Sequence, residues 1–241
     1  MKFSLCIPMY NESKIIGDTA KTLSAFMSEN FDDYEIIFSD DGSVDNSRDI
    51  VNGLSLPNVK VVGYSENRGK GAAVRTAVLE SSGDIVMFTD SDLAYGTSVI
   101  TVIVEKFNKG NDCDVVVGSR NIGEDGYDGY TFIRKLASKS YIAFLKIVGG
   151  LKISDSQCGC KAFRGEAARK IFSCCEVDRF AFDFEAILIA EKLGYKIAEI
   201  PVKIVNHRDS KVNVVKDAVK MMKDILLIKK RIKKLQIRKG D

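Results

Sequence analysis

In the first half of the chain, short apolar runs alternate with amphipathic stretches of helical length. This alternation predicts a parallel β-sheet whose strands are joined by crossover helices. The apolar runs predict strands at about 3–8, 34–39, 58–63, 84–89 and 113–118. The stretches between them predict helices at about 12–29, 44–54, 69–82 and 96–109. The expected fold class is therefore α/β, with a mostly parallel central sheet flanked by helices.

The second half of the chain is less regular. Its patterns predict helices at about 130–148 and 182–194, a strand at 196–202 and a long final helix at about 213–236. The final helix carries a continuous apolar stripe and a lysine-rich opposite face. Two interpretations stay open: the stripe packs on the rest of the protein, or the helix lies on an anionic membrane surface. The sequence shows no clean boundary, so we expect one domain over 1–212 and a basic amphipathic helix and tail over 213–241.

Charge is spread unevenly along the chain. The net charge is +3, but residues 211–241 hold eleven Lys or Arg against three Asp, which leaves a mildly acidic body. No zinc-finger or helix-turn-helix pattern accompanies the basic tail, so nucleic acid is not expected as a partner. No uncharged apolar stretch reaches the roughly 18 residues of a membrane-spanning helix. A strand pattern, and not a signal peptide, stands at the start of the sequence. The six cysteines lack Cys-X-X-Cys spacing and are expected to be reduced, structural thiols. We therefore expect a cytoplasmic protein, either soluble or peripheral at the inner face of the membrane.

Polar clusters follow four of the predicted strands. They are Met9-Tyr10-Asn11-Glu12, Asp40-Asp41-Gly42-Ser43, Asn67-Arg68-Gly69-Lys70-Gly71 and Asp90-Ser91-Asp92. The carboxyl ends of parallel strands lie at one edge of a sheet, and ligands of open α/β sheets bind at that edge. The sequence therefore predicts that these clusters converge on a binding site.

Asp90 and Asp92 are the strongest candidates for chemistry. Two carboxylates directly after a buried strand suit Mg²⁺ or Mn²⁺ held jointly by protein and substrate phosphates; the alternative is a turn with an Asp cap on the next helix. The helix beginning at Gly69-Lys70-Gly71 offers N–H groups to an anion. Neither a P-loop nor a Gly-X-Gly-X-X-Gly fingerprint is present. These features favour a site for a nucleoside diphosphate and its metal.

Together these motifs resemble family 2 glycosyltransferases of the GT-A fold, to which Ile7-Pro8-Met9-Tyr10-Asn11-Glu12 and Val44-Asp45 also conform. The second half resembles the polyprenyl-phosphate branch of that family, especially the dolichyl-phosphate β-glucosyltransferases. The segments that carry this second resemblance are Gly118-Ser119-Arg120, Arg134 with Ser138, Asp155 to Lys161, Phe180-Ala181-Phe182-Asp183, Glu199 to Val202 and Ser210-Lys211-Val212. The resemblance implies a nucleotide-sugar-binding half at 1–118 and an acceptor-binding half at 119–212.

The resemblance also implies roles for individual residues. Nucleotide-sugar binding falls to Pro8, Tyr10, Glu12, Asp40, Asp41, Arg68, Gly69, Lys70 and Asp90. The metal ligands are Asp90 and Asp92, and the acceptor phosphate is bound by Arg120, Arg134 and Ser138. Asp155, Arg120 and Arg134 are the expected catalytic residues, with Asp155 close to the anomeric centre.

The implied reaction moves a hexose, with glucose from UDP-glucose favoured, to a polyprenyl phosphate with inversion at the anomeric carbon. A phosphate acceptor is largely ionised at neutral pH, so we expect Asp155 to orient or assist rather than act as an obligatory base. One alternative is transfer to a saccharide hydroxyl in surface glycan assembly, which needs a general base such as Asp183 or Glu185. Another is a catalytically silent sugar-nucleotide or lipid-binding module.

Overall fold

The computed structural model describes residues 1–108, 113–123, 142–206 and 214–234, apart from the side chains of 149 and 214–223. Its strands are β1 (Phe3–Met9), β2 (Tyr34–Asp41), β3 (Val59–Tyr64), β4 (Ile85–Phe88), β5 (Val115–Ser119), β6 (Lys161–Arg164) and β7 (Ile197–Pro201). Its α-helices are α1 (Ile16–Asn30), α2 (Ser47–Gly53), α3 (Lys70–Leu79), α4 (Ser98–Asn108), α5 (Gly165–Ser173), α6 (Phe182–Leu193) and α7 (Val214–Lys234). A π-helical turn spans Leu145–Gly149.

The strands form one sheet in the order β3-β2-β1-β4-β6-β5-β7. β1 pairs in parallel with β2 and β4, β2 pairs in parallel with β3, and β5 pairs in parallel with β7. β6 is antiparallel to both of its neighbours, β4 and β5. The predicted α/β class with a mostly parallel sheet is confirmed.

Helices cover both faces of the sheet. Side chains alternate between the two faces along each strand, so each strand contributes to the packing on both sides. In β1, Cys6 packs with the helices α3, α5, α6 and α7, whereas Leu5 and Ile7 pack with α1, α2 and α4. Both faces are apolar, and every residue of β1 and β2 is buried. These near-continuous apolar runs are typical of strands buried on both faces of a sheet.

Two elements, β6 and α5, are missing from the sequence prediction. β6 is missed because it has only four residues and begins and ends with a basic side chain, Lys161 and Arg164. Of the helix predicted at 130–148, residues 130–141 lie outside the described ranges. Residues 142–144 are α-helical and continue into the π-helical turn, which ends at Gly150 with a left-handed φ of 78°.

The apolar stripe of the final helix is partly used inside the protein. Ile225, Ile228 and Ile232 of α7 are buried in the core between the sheet and the helices α3, α5 and α6. No helix within the described ranges is long and apolar enough to cross a membrane. The six cysteines are all free thiols, and five of them are buried.

Candidate active site

The strand directions bring the predicted polar clusters to one edge of the sheet. The carboxyl ends of the parallel strands β1 to β4 lie there, so the clusters that follow these strands share this edge. Because Lys161 pairs with Phe88 and with Val117, the start of β6 and the end of β5 lie there too. The chain runs outward from β1 through β2 to β3 and then crosses back to β4 on the other side of β1, so β1 and β4 flank a switch point where ligands of such sheets bind.

Hydrogen bonds join the loops after β1 and β2. The Asn11 backbone N–H donates to the Ser43 hydroxyl at 2.9 Å, and the Glu12 N–H donates to the Ser47 hydroxyl at 2.8 Å. Asp40 accepts a hydrogen bond from the Ser43 N–H at 3.1 Å. Asn11 has a left-handed φ of 51°, a conformation that asparagine tolerates better than most residues. The two loops thus form one rigid rim, on which Pro8 and Glu12 are buried and Tyr10 is 39% exposed.

The buried carboxylate of Asp41 organises the loop after β3. It accepts hydrogen bonds from the Tyr64 hydroxyl at 2.7 Å and from the Asn67 side-chain amide at 2.9 Å. The backbone N–H groups of Arg68 and Gly69 also donate to it, each at 2.9 Å. Asp41 therefore holds the loop that carries the predicted nucleotide-binding residues Arg68 to Lys70, and a direct contact between Asp41 and the nucleoside stays a prediction.

The two acids beyond β4 are held in different ways. Asp92 accepts a hydrogen bond from the Ala94 N–H at 3.1 Å, and the next residue, Leu93, has a left-handed φ of 50°. Such backbone strain in a non-glycine residue is concentrated at functional sites in proteins. Asp90 forms an ion pair with the Lys70 ammonium group. A Cβ atom built on Gly159 would lie 2.1 Å from Oδ2 of Asp90, so the glycine leaves just enough room for this carboxylate.

Asp90 and Asp92 fit a small divalent cation. Mg²⁺ and Mn²⁺ are commonly bound by one or two carboxylates and complete their coordination with substrate phosphates and water. Within the described ranges, no three Asp, Glu, His or Cys side chains are grouped to hold a metal ion. An ion at this edge would therefore share its coordination between the two aspartates and a bound diphosphate.

Arg120 and Asp155 form a buried, bidentate ion pair. Nε of Arg120 donates to Oδ2 of Asp155 at 2.7 Å, and Nη2 donates to Oδ1 at 3.0 Å. Burial acts to raise the pKa of Asp155, but the charge and hydrogen bonds of Arg120 and the charge of Lys161 together lower it. Asp155 is thus an ionised partner of Arg120, which agrees better with an orienting role than with that of a general base.

A side chain from β7 holds the loop that carries Asp155. Glu199 accepts hydrogen bonds from the Ser154 N–H at 2.8 Å and from its hydroxyl at 2.5 Å. The Ser154 hydroxyl also lies 2.5 Å from that of Ser119, the residue before Arg120. The end of β5, the Asp155 loop and β7 are therefore connected by one hydrogen-bond network.

Lys161 lies at the same edge of the sheet, and the sequence predicts no role for it. It is fully buried, and its Nζ donates to Oδ1 of Asp183 at 2.5 Å and to the Cys158 carbonyl at 2.6 Å. Burial raises the pKa of Asp183 despite the opposing charges of Lys161 and Lys70. The signal available in the sequence was the Asp155–Lys161 segment, which gave no indication that its lysine is internal.

The two carboxylates considered as general bases for a saccharide acceptor are both engaged inside the protein. Asp183 is 6% exposed and bound to Lys161. Glu185 is fully buried and accepts the backbone N–H groups of Glu176 and Val177 at 3.0 and 2.9 Å. It also pairs with the Arg231 guanidinium from α7. Each of the two carboxylates thus already has a cationic partner inside the protein.

The remaining predicted site residues divide into two groups. Arg68 pairs with Asp178 at 3.1 Å and is 49% exposed in its side chain, so it stays accessible at the rim. Arg134 and Ser138, predicted to bind the acceptor phosphate, lie outside the described residues. Their role in binding the acceptor phosphate stays a prediction.

Residues 4–172 match the family described as "Glycosyl transferase family 2". The chain belongs to this family and is a glycosyltransferase. It is 32% identical over 240 residues to a protein of Dictyostelium discoideum named "Dolichyl-phosphate beta-glucosyltransferase", covering 94% of this chain and 73% of that protein. The predicted resemblance to dolichyl-phosphate β-glucosyltransferases is confirmed.

Solved structures show the same fold at lower identity. The chain is similar to glucosyl-3-phosphoglycerate synthase from Mycobacterium tuberculosis in complex with UDP, with a TM-score of 0.69, 20% identity and coverage of 98% of this chain and 82% of that one. The same synthase in complex with Mn²⁺, UDP and glucosyl-3-phosphoglycerate has a TM-score of 0.68 at 18% identity, with coverage of 98% and 81%. These likenesses establish the fold, and it is the predicted GT-A fold.

Proposed function

We propose that this glycosyltransferase is metal-dependent and inverting, and that it moves glucose from UDP-glucose to the phosphate of a polyprenyl lipid. The observation that carries the proposal is the common edge shared by the acids Asp90 and Asp92 and the buried pair Arg120 and Asp155. The first pair suits a metal and a diphosphate. The second brings a guanidinium group to the same edge, where an anionic acceptor would need a cation.

Donor binding is assigned to the rim and to the start of α3. The loops after β1 and β2, with Pro8, Tyr10, Glu12, Asp40 and Asp41, would surround the nucleoside. Arg68, Gly69 and Lys70 would lie beside the diphosphate, where the N–H groups at a helix start favour an anion. Asp90 and Asp92 would hold Mg²⁺ or Mn²⁺, which when bound stabilises the charge of the leaving diphosphate. The Mn²⁺ and UDP in the structure of the mycobacterial synthase support this choice.

The acceptor chemistry follows from the properties of a phosphate. Its second pKa is about 6, so its oxygen is ionised at neutral pH and attacks without losing a proton to the protein. Attack on the anomeric carbon from the side opposite the diphosphate inverts that centre and gives a β-linked product from an α-linked donor. Arg120, together with Arg134 and Ser138, would position the acceptor phosphate, and Asp155 would fix the Arg120 guanidinium plane through its bidentate pairing.

A lipid acceptor requires contact with a membrane, and the outward face of α7 is suited to it. Leu226 and Leu227 are 57% and 66% exposed. They share the exposed side of the helix with Lys230, Lys233 and Lys234. Exposed leucines among lysines suit the headgroup region of an anionic bilayer. Peripheral binding at the cytoplasmic membrane face is therefore part of the proposal.

The test is transfer of labelled sugar by the purified protein. The protein is incubated with Mn²⁺, polyprenyl phosphate and UDP-[¹⁴C]glucose, alongside other labelled UDP- and GDP-sugars. We expect label in a lipid fraction, released by mild acid, and a large loss of transfer in Asp92→Asn but not in Asp49→Asn, an exposed position on α2. Label found only on added saccharides would overturn the lipid acceptor. Binding of UDP without any transfer would indicate a silent module.

A further inference from the structure

Lys70 lies where a metal ion would bind Asp90. It is the first residue of α3, and its ammonium group pairs with Oδ1 of Asp90 while its side chain keeps 25% exposure. Asp183 and Asp92 also lie within electrostatic range of this ammonium group. A single protein cation therefore acts on both acids that are assigned to the metal.

The backbone that carries Lys70 is fixed on both sides. A Cβ on Gly69 would lie 2.5 Å from the Asp178 carbonyl oxygen, and one on Gly71 would lie 2.5 Å from that of Val177. The start of α3 thus packs tightly against residues 174–181, the segment between α5 and α6. Any change of partner by Lys70 must come from rotation about its own long side chain.

Asp90 has less freedom than Lys70. Gly159 lies against its carboxylate so closely that not even a methyl group would fit between them. Asp183, another acid near Lys70, is already paired with the buried Lys161. When a stronger anion enters the site, the lysine is consequently the group that moves.

We propose that Lys70 substitutes for the metal on Asp90 when no donor is bound, and that the donor diphosphate draws Lys70 away. This inference rests on the proposed donor site and adds a coupling to it. A metal ion arriving alone must displace an ammonium group from one of its two ligands. A metal ion arriving with a diphosphate meets no such competition, because Lys70 then binds the phosphate oxygens, which carry more negative charge than a single carboxylate. Metal and nucleotide therefore bind cooperatively, and Lys70 is the residue that couples them.

The test compares binding in the absence of any turnover. Calorimetry measures the affinity of wild type, Lys70→Gln and Lys106→Gln for Mn²⁺ alone, for UDP alone and for each with the other saturating. Lys106 is an exposed lysine near the end of α4 and serves as the matched control. We expect Lys70→Gln to bind Mn²⁺ alone about tenfold more tightly and UDP more weakly than wild type, with the control unchanged.

Tighter binding of Mn²⁺ together with weaker binding of UDP would indicate coupling through Lys70. A general loss of the site would weaken the binding of both. Unchanged or weaker binding of Mn²⁺ alone by a folded Lys70→Gln protein would overturn the inference. Lys70→Met, which keeps the aliphatic stem, replaces the glutamine variant if circular dichroism shows that the latter is unfolded. If wild type itself binds neither UDP nor Mn²⁺ with UDP, the proposed donor site fails as well, which is a different result.

Discussion

The position of Asp90 depends on a residue that has no side chain. Gly159 lies in the loop before β6, and its Cα faces the Asp90 carboxylate. Carboxylates that bind metals must be held within a fraction of an ångström, so the residues that support them matter nearly as much as the ligands. The backbone at Gly159 would be such a support for the metal-binding role proposed for Asp90.

We expect Gly159→Ala to weaken Mn²⁺ binding in the presence of UDP by about tenfold or more. The added methyl group would lie 2.1 Å from Oδ2 of Asp90 and force the carboxylate to rotate. Because the atom displaced is the end of a side chain, thermal unfolding should change little. Gly53→Ala is the control, since nothing lies within 4 Å of its Cβ position. Equal Mn²⁺ affinity in both variants would show that Asp90 does not need this support.

Glu35 shows how a carboxylate far from the site contributes to stability. Burial acts to raise its pKa, but hydrogen bonds from Ser4 and Ser82 and the neighbouring Lys60 lower the pKa to about 2, from an ordinary value of 4.5. A depressed pKa means that the native state favours the charged form. The stabilisation is present above about pH 4.5 and is lost as the pH falls toward 2.

We therefore expect Glu35→Gln to lower the free energy of unfolding by about 2 kcal/mol at pH 7. The difference from wild type should shrink between pH 4.5 and pH 2, where wild-type Glu35 itself becomes protonated. Urea unfolding at several pH values measures it, with the exposed Glu29→Gln on α1 as the control. A difference that stays constant over this range would contradict the assignment to the charge.

Among the helices, α7 is fastened to the domain by polar as well as apolar contacts. Its Arg231 pairs with the fully buried Glu185 of α6 and with Oε2 of Glu176, the latter at 2.6 Å. Ile228 and Ile232 are buried in the same core. Since Glu185 also binds the loop before α6, this contact ties the final helix to the segment that supports the start of α3.

We expect Arg231→Gln to destabilise the protein by about 3 kcal/mol, because it leaves the buried Glu185 carboxylate without its cation. Burial already raises the pKa of Glu185, so the cost should decrease at acid pH, where a neutral carboxyl needs no partner. Chemical unfolding of Arg231→Gln beside the exposed Lys230→Gln measures the difference. If the two variants are equally stable, the ion pair does not fasten α7.

At the scale of the whole molecule, the membrane surface proposed for α7 lies on one face of the central sheet. The leucines and lysines exposed on α7 lie on the side of the sheet covered by α3, α5 and α6. The helices α1, α2 and α4 cover the other side. This separation allows charge on the two faces to be changed independently.

We expect Lys230→Gln/Lys233→Gln to reduce binding to phosphatidylglycerol vesicles by roughly 30-fold, at about 1 kcal/mol for each lysine near an anionic surface. Co-sedimentation at low and high salt measures this loss, and phosphatidylcholine vesicles should bind little. Lys21→Gln/Lys106→Gln removes the same charge from exposed positions on α1 and α4. An equal loss in this control would mean that net charge, and not the α7 face, decides binding.

Much of the donor half followed from local patterns. The apolar runs predicted β1 to β5 to within two residues at most ends, because the hydrophobic period of a buried strand is a local property. Parallel strands then bring their carboxyl ends to one edge, so the convergence of Tyr10, Asp41, Lys70 and Asp90 was predictable as well. The family also followed from these motifs in their order.

The pairings within the site depended on the tertiary structure. The sequence by itself determined the α/β class, the family and the edge at which polar residues collect. Only the folded chain decided that Lys161 is an internal cation, that Arg120 is paired with Asp155 35 positions away, and that Lys70 lies on Asp90. The physical reason is that hydrophobic periodicity acts between neighbours along the chain. Burial, which makes a charge seek a partner, is set by whatever distant segments pack around it.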